Sequence, residues 1–186
     1  MPFLLIKNLP RYECLLEASK LFPDMDPSAT EAFLHLMQAG DEAFRLVDSH
    51  LAEHGISQGR FMVLMLLLNK RTNCPHPRTP AELADLAHVT RATITGLIDT
   101  LERDGLVRRE PDAKDRRMMI VSLTPKGGAV LDAILPPHFQ RMAALMEPLS
   151  HEERKMLVQL LGKIMQRATK LAGDAGPSAS VAAASP

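Results

Sequence analysis

The stretch from Thr79 to Leu123 constrains the fold more than any other part of this chain of 186 residues. Thr79-Pro80-Ala81-Glu82 is a capping box with proline at the first helical position, so it predicts a short helix that ends near Ala87. After the turn His88-Val89-Thr90, a second helix is predicted, which Gly105 ends and whose apolar face consists of Ile94, Leu97, Ile98 and Leu101. Two short helices joined by a tight turn predict a helix-turn-helix.

Two short strands are predicted directly after this pair of helices. The segments Leu106–Arg109 and Met118–Leu123 fit the strands, and the polar loop Glu110–Arg117 joins them into a β-hairpin with a charged tip. A helix-turn-helix followed by such a hairpin is the core of a winged helix, in which the second helix enters the major groove of DNA.

Long amphipathic segments flank this region on both sides. From Ser28 to His54 apolar residues recur every three or four positions, which predicts a helix longer than a compact domain needs and therefore a dimerisation arm. A second long helix is predicted from Thr124 to about Met146, with Pro136-Pro137 as a candidate bend. A third begins at the capping box Ser150-His151-Glu152-Glu153 and extends to Leu171.

The predicted fold class is mainly α, a winged helix-turn-helix with a small β-hairpin wing and long N- and C-terminal dimerisation helices. The predicted regions are an N-terminal extension with a short helix from Pro10 to Leu21 (1–27), a dimerisation helix (28–56), the winged helix-turn-helix lobe (57–127), C-terminal dimerisation helices (128–171) and a disordered tail rich in Ala, Ser, Gly and Pro (172–186).

Charge is distributed unevenly along the chain although the formal net charge is zero. Residues 13–53 carry nine acidic and two basic side chains, whereas residues 88–126 carry eight basic and six acidic ones. A polyanion is therefore expected to prefer the second region.

The second helix of the pair presents small polar and basic groups on the face opposite its apolar residues. These candidates for DNA contact are Thr90, Arg91, Thr93, Thr95, Gly96 and Arg103. Arg91 can bind guanine through two hydrogen bonds or pair with a phosphate, and the threonines can donate to phosphate oxygens. A solvated surface helix would show the same pattern, so this helix alone does not decide the function.

The tip of the hairpin adds a second group of candidates, Lys114, Asp115, Arg116 and Arg117. An arginine on a rigid hairpin can reach a narrow, electronegative minor groove. Asp115 is expected to hold an arginine in place through a charge-assisted hydrogen bond. An isolated run of charges is usually a solvated loop, but its position after a capped helix favours DNA binding.

The residues from Thr93 to Arg109, followed by Asp115-Arg116-Arg117 and by the segment from Val121 to Gly127, resemble the multiple antibiotic resistance regulator (MarR) family. The resemblance covers roughly residues 30–170 and implies an obligate homodimer, with interleaved terminal helices, that binds a pseudo-palindromic operator.

Two residues match functional positions of that family. The resemblance implies that Arg117, which matches the arginine of the family's Asp-x-Arg wing motif, enters the minor groove, and that Thr95 and its neighbours belong to the recognition helix. The extension 1–27 departs from the family's minimal pattern. Some relatives carry an extra N-terminal helix that enlarges the dimer interface, and we expect that role here.

The resemblance also implies a small-molecule effector, because family members often bind phenolic or other aromatic carboxylate-like compounds between the dimerisation helices and the DNA-binding lobe. Here His35, Arg60 and Met65 lie on helices that would line such a cleft. Arg60 would pair with a carboxylate and Met65 would pack against an aromatic ring. Alternatively, Arg60 and His35 are surface residues and Met65 belongs to the core.

Other chemistry has weaker support in the sequence. Cys14 lies in the extension and Cys74 in a Pro-rich loop, so inert thiols are favoured over redox sensing, and no disulfide framework is expected. His50 and His54, beside Glu53, have the helical spacing of two metal ligands, but a surface role is favoured. No cofactor and no metal are predicted.

Motifs of enzymes and of membrane proteins are not found in the sequence. There is no glycine-rich phosphate loop, no His-Glu-x-x-His and no nucleophile elbow, so an enzyme is not expected. The longest apolar run, Phe61–Leu68, is far shorter than a membrane span, and the first residues do not fit a signal peptide. A cytoplasmic protein without membrane association is expected.

The predicted function is that of a homodimeric, sequence-specific transcriptional regulator that binds duplex DNA. We expect a repressor that a small ligand, with aromatic compounds as candidates, releases from its operator. The alternatives are a winged-helix module for protein interaction and an activator or redox-sensing regulator of the same fold.

Overall fold

The computed structural model describes residues 8–69, 74–75, 77–112 and 115–174. Its described elements follow one another as α1 (Tyr12–Leu21), α2 (Pro27–Glu53), α3 (Gln58–Leu67), β1 (Leu68–Asn69), β2 (Cys74–Pro75), α4 (Pro80–Ala87), α5 (Arg91–Arg103), β3 (Val107–Pro111), β4 (Met119–Leu123), α6 (Pro125–Leu145) and α7 (His151–Asp174). This is the mainly α fold class, with a small wing, that the sequence predicts.

The long helix α2 begins where local capping chemistry starts it. Oδ1 of Asp26 accepts the backbone N–H groups of Ser28 at 2.8 Å and of Ala29 at 3.1 Å. Hydrogen bonds from the hydroxyl and backbone of Ser28 and from the backbone of Ala29 lower the pKa of the Asp26 carboxyl. Pro27 occupies the first helical position, so the helix begins one residue before the predicted start.

The segment after α3 differs from the sequence prediction. The sequence predicts a Pro-rich loop around Cys74, but β1 and β2 pair as a short antiparallel ladder, with Leu68 opposite Pro75 and Asn69 opposite Cys74. A two-residue strand has too few positions to show an alternating pattern, so the sequence carries no signal for it.

Helices α3, α4 and α5 and the strands β3 and β4 enclose the main core. Leu64, Leu67, Leu83, Ile94 and Ile98 have no exposed surface. His88 ends α4 in the left-handed conformation at φ 52°, and Val89 donates its N–H to the carbonyl of Ala84 at 3.1 Å. The tight turn thus brings α5 against α3 and α4, as a helix-turn-helix requires.

The wing is an antiparallel pair in which Val107 lies opposite Leu123 and Pro111 opposite Met119. Both strands begin one residue later than predicted, and β3 continues two residues beyond Arg109. A third segment joins them, since Arg78 and Val121 exchange backbone hydrogen bonds of 3.1 and 2.7 Å. The sequence did not predict this bridge, because Arg78 and Val121 are far apart in the chain.

The residues after the wing form two further helices. Helix α6 continues through Pro136 and Pro137 without ending there. One compact unit of the chain ends at Arg141 and a second begins at Met142. In the second unit Ser150 and Glu153 form the predicted capping box, with N–H to side-chain oxygen distances of 2.7 and 3.3 Å. Helix α7 continues three residues past the predicted end at Leu171, into the region interpreted as a disordered tail.

Exposed apolar side chains lie on several helices of the described chain, α1, α2 and α7 among them. In the first unit these include Leu16, Leu21, Phe22 and Phe33, and on α7 of the second unit they include Met156, Val158, Leu160, Ile164 and Met165. Among the described residues no helix is both long and apolar enough to cross a membrane. The proposed division of the chain into five regions remains a prediction.

Candidate nucleic-acid interface

Helix α5 packs against the core of the lobe through one apolar face. Ile94, Ile98 and Leu101 are fully buried, as their spacing predicts. Leu97 packs against Gly59 of α3, where a side chain would lie 3.1 Å from the nearest Leu97 methyl carbon. The close approach of the two helices leaves the opposite face of α5 to solvent.

The N-terminal half of that outer face carries hydroxyl groups and one arginine. The Thr90 hydroxyl oxygen accepts the N–H of Thr93 at 3.2 Å and lies 2.9 Å from the Thr93 hydroxyl. The Thr95 hydroxyl donates to the carbonyl of Arg91 at 2.8 Å. These four residues are exposed. The start of a helix of this length also favours a phosphate through its dipole and free N–H groups.

Gly96 and Arg103 complete the predicted face in different ways. A Cβ at Gly96 would meet no atom within 4 Å, so packing does not require glycine there and the backbone is open to an approaching molecule. Arg103 is exposed but lies in the last turn of α5, where its Nε is 3.8 Å from Asp104. At 1.5 Å per residue it is about 18 Å from Arg91 along the axis, so the structure separates it from the N-terminal group.

The tip of the wing is organised through the main chain. Oδ1 of Asp115 accepts the N–H of Arg117 at 3.0 Å, and the Asp115 N–H donates to Asp112 at 3.0 Å. Asp115 therefore holds Arg117 through a charge-assisted hydrogen bond, as the sequence predicts, and the donor is the backbone N–H of Arg117. Lys114 lies outside the described residues.

The two wing arginines are available for an external anion. Arg116 and Arg117 are exposed, and within the described part of the chain neither makes an ion pair. A guanidinium without an internal partner can exchange its hydration for a phosphate or a base edge.

Sequence reasoning missed Arg109 of β3, which connects the wing to α5. Its Nη1 donates to Glu102 at 2.7 Å, its Nη2 to Asp99 at 2.5 Å, and its backbone N–H to Glu102 at 3.0 Å. A signal existed: alternation along a strand places Arg109 on the same side as the buried Val107. Asp99 and Glu102 are three residues apart and so share one face of α5.

Arg60 and Lys126 hold the turn that follows α5. Arg60 pairs with the Asp104 carboxylate, and Lys126 donates to the Asp104 carbonyl at 2.8 Å. The Thr124 hydroxyl donates to the carbonyl of Gly105 at 2.7 Å. Arg60 therefore faces the end of α5 rather than an open cleft.

A shallow apolar depression of about 340 Å³ lies on the other side of α3. It is lined by Val47, Leu51, Gln58, Phe61, Met62, Met65 and Leu66. Of the three predicted ligand contacts, only Met65 belongs to this lining. His35 is exposed on α2, with Nδ1 2.9 Å from the carbonyl oxygen of Glu31. The structure does not bring His35, Arg60 and Met65 together at this depression.

The histidines singled out for metal binding belong to an aromatic cluster. His50 is buried, not on the surface as expected, and its Nε2 lies 3.3 Å from the Ile134 carbonyl oxygen. Its ring stacks on His138 at 5.8 Å between centroids and meets His54 edge-on at 5.2 Å. Burial and then the nearby His50 lower the pKa of His138. Across the described residues no group of three or more potential ligands could hold a metal ion.

Of the cysteines, Cys14 is exposed and free. The side chain of Cys74 lies outside the described part of the chain.

A family model described as "MarR family" matches residues 54–118. The chain is 38% identical over 162 residues to the HTH-type transcriptional repressor YetL of Bacillus subtilis (strain 168), covering 87% of this chain and 95% of that protein.

Solved structures with the same fold include regulators. A probable transcriptional regulator from Pseudomonas aeruginosa is 29% identical with a TM-score of 0.60, covering 70% of this chain and 94% of that one. A mutant MarR from E. coli complexed with operator DNA is 24% identical with a TM-score of 0.59, covering 78% and 96%. At that identity the second likeness shows the fold alone.

Proposed function

The chain belongs to the MarR family of transcriptional regulators, and from that premise we propose that it is a homodimeric repressor that binds an operator in duplex DNA and is released by a small ligand. The family is not enzymatic. The observation that carries the DNA-binding proposal is the exposed N-terminal half of α5, with Arg91 and three threonines, beside a wing whose Arg116 and Arg117 have no ion-pair partner among the described residues.

The two parts of this surface suit different grooves. Helix α5 is the recognition helix in this proposal: Thr90, Arg91, Thr93 and Thr95 enter the major groove, where small side chains let the backbone approach. Arg117 enters the adjacent minor groove, which attracts a guanidinium most strongly where it is narrow. Arg103 and Lys114 contact flanking phosphates. Because the formal net charge is zero, specific geometry rather than overall charge has to provide the affinity.

Homodimerisation is supported by the exposed apolar residues of two separate elements. Leu16, Leu21 and Phe22 lie on or beside α1, and α7 exposes Ile164 and Met165. Apolar surface of this extent on an otherwise well-packed chain is typical of an interface with another molecule. A two-fold dimer would present two recognition helices about 34 Å apart, which matches successive turns of a pseudo-palindromic operator.

Release by a ligand is supported by the depression beside α3. Its lining is almost wholly apolar, with Phe61 and Met65 available to an aromatic ring and Gln58 as a polar group. On the opposite side of α3, Gly59 contacts α5. Arg60, also of α3, pairs with Asp104 in the turn that follows α5. A ligand that binds more tightly to a conformation with a different recognition-helix spacing would shift the population away from DNA.

Selection of duplexes from a random DNA pool tests the DNA-binding proposal. We expect the wild-type chain to enrich a pseudo-palindrome, and its affinity for that duplex to fall steeply between about 50 and 200 mM salt. Arg117→Ala should weaken binding without altering the dimer measured by sedimentation. The control is Arg45→Ala. It removes an exposed arginine of α2, away from the proposed DNA-binding surface, that pairs with Glu42. Failure to enrich any sequence would contradict the proposal.

Thermal shifts with a panel of aromatic carboxylic acids test the ligand. At least one compound should raise the melting temperature and lower affinity for the selected duplex. Met65→Glu, which places a carboxylate in the depression, should abolish both effects. If every compound is silent in the wild-type chain, the depression is not an aromatic-acid site.

A further inference from the structure

Arg109 ties the wing to the recognition helix, and we propose that it is a positioning residue for DNA binding that makes helix and wing engage the duplex as one unit. The inference rests on the proposed function and deepens it, because it concerns how the two parts of the DNA-binding surface are coupled. Arg109 itself need not touch DNA for this role.

The contacts of Arg109 restrict both the position and the orientation of the wing. Two guanidinium nitrogens donate to two carboxylates that lie one turn apart on α5, at 2.7 and 2.5 Å. The backbone N–H of the same residue donates to Glu102 at 3.0 Å. The wing is already attached to the lobe through its buried strand residues and the bridge between Arg78 and Val121. A planar fork held at both ends, with a main-chain anchor, additionally opposes rotation of the wing relative to α5.

The charges of this network are otherwise unfavourable for a DNA-binding helix. Asp99 and Glu102 place two carboxylates on α5, and Asp99 is 56% exposed. Negative side chains beside a polyanion reduce its binding. Burial alone would lower the pKa of Arg109, but the hydrogen bonds and charges of Asp99 and Glu102 outweigh it and raise that pKa. The guanidinium neutralises one of the two carboxylates. The second negative charge remains and opposes DNA binding, and it is present because the rigid connection needs both carboxylates.

Rigidity changes what the wing contributes on binding. The tip that carries Arg117 is exposed, and the order within it comes from Asp115 and Asp112 of the tip itself. Those local bonds shape the tip but do not connect it to α5. When the base of the hairpin is held to α5, docking of the helix already places Arg117, so little conformational entropy is lost at that contact.

The competing explanation is that Arg109 only stabilises the fold. A stabilising role and a positioning role predict different effects of removing the Arg117 side chain. If Arg109 only stabilises the fold, Arg109→Gln lowers the population of folded protein and leaves the effect of losing Arg117 unchanged. If Arg109 positions the wing, a loosened hairpin already fails to deliver Arg117, so removing Arg117 then costs little more. The test is therefore the non-additivity of two substitutions.

The experiment measures the effect of Arg117→Ala on affinity for the duplex that the wild-type chain enriches, in three backgrounds. In the wild-type and Arg108→Gln backgrounds we expect Arg117→Ala to lower the affinity for the duplex about tenfold. In the Arg109→Gln background the same substitution should lower the affinity less than about threefold. Arg108 is the matched control, because it is the neighbouring arginine of β3, its side chain is 60% exposed, and its ion pair among the described residues is with Glu110 of the wing, at 3.3 Å, and not with α5. Equal losses in all three backgrounds would overturn the positioning role.

Asp99→Ala provides a second test that does not depend on the folding of Arg109→Gln, since Asp99 is exposed on a helix surface. By charge alone, removal of this carboxylate should strengthen DNA binding, whereas loss of one end of the fork should weaken it and reduce the Arg117→Ala effect. Stronger binding with an unchanged Arg117 effect would overturn the inference. A wild-type chain that binds no duplex overturns the proposed function itself, which separates the two failures.

Discussion

Arg60 of α3 forms an ion pair with Asp104, the residue that follows the recognition helix, across 44 positions of sequence. The Arg60 side chain is only 18% exposed, and its Nε is buried without a hydrogen-bond partner among the described residues. The pair therefore fixes the end of α5 relative to α3, and the guanidinium depends on Asp104 for compensation of its burial.

Asp104→Asn should lower the free energy of unfolding by about 1–2 kcal/mol, because it leaves a half-buried guanidinium without its carboxylate. Urea denaturation at one fixed protein concentration measures this, since the stability of a dimer depends on concentration. Arg103→Ala, at a side chain that is 76% exposed, is the control and should change the value by less than about 0.5 kcal/mol. Similar effects of the two substitutions would contradict the structural role of the pair.

Gly127→Ala should be severely destabilising, by about 3 kcal/mol or more. A Cβ at Gly127 would lie 2.1 Å from the carbonyl oxygen of Leu106, which is backbone and cannot move aside cheaply. The neighbouring Gly128 on α6 has no atom within 4 Å of such a Cβ, so Gly128→Ala should be neutral or should stabilise the helix by up to about 1 kcal/mol. Thermal unfolding of the pair measures the contrast, and a tolerated Gly127→Ala would refute the close contact.

Substitutions at Gly96 should separate stability from DNA affinity. Because a Cβ there meets nothing, Gly96→Ala should raise the free energy of unfolding by about 1 kcal/mol. Gly96→Gln also removes the helix glycine, but its longer side chain would obstruct the approach of DNA and should weaken binding to the selected duplex at least about tenfold. Unchanged affinity in Gly96→Gln would place DNA away from this face of α5.

The histidine cluster should make stability sensitive to acid. Burial and the charge of His50 lower the pKa of His138 from its ordinary value of 6.5, so the folded protein takes up this proton less readily than the unfolded chain does. The stabilising contribution is present above about pH 6.5 and is lost as the pH falls through the lowered pKa. His50 of α2 stacks on His138 and meets His54 edge-on. The neighbouring Glu53 lies 3.7 Å from Nδ1 of His50 and pairs with Arg141 at 3.0 Å.

Urea denaturation near pH 7.5 and near pH 5 tests this assignment. His138→Gln, which cannot be protonated, should show a smaller acid-induced fall in the free energy of unfolding than the wild-type chain. His35→Gln, at an exposed position of α2, should keep the wild-type difference. An undiminished fall in His138→Gln would assign the acid sensitivity to other groups.

The features that could be predicted from the sequence are those that depend on neighbouring residues. The capping box at Thr79, the cap at Thr90 and the buried face of α5 are all confirmed. Each follows from hydrogen bonds within one turn or from the helical period, so a few adjacent side chains are sufficient. The sequence was therefore sufficient to predict the order of helices and strands between Thr79 and Leu123. It was also sufficient to predict the winged-helix fold class.

Tertiary structure alone decided how those elements are joined. The fork from Arg109 to Asp99 and Glu102, the pair between Arg60 and Asp104, and the bridge from Arg78 to Val121 all connect different elements. The sequence shows the charges of such residues but not which partner each meets, because the choice depends on how packed helices and strands bring distant positions within a few ångströms. The sequence thus determined that a recognition helix and a wing exist, and the packing of the lobe determined that they are held together as one surface.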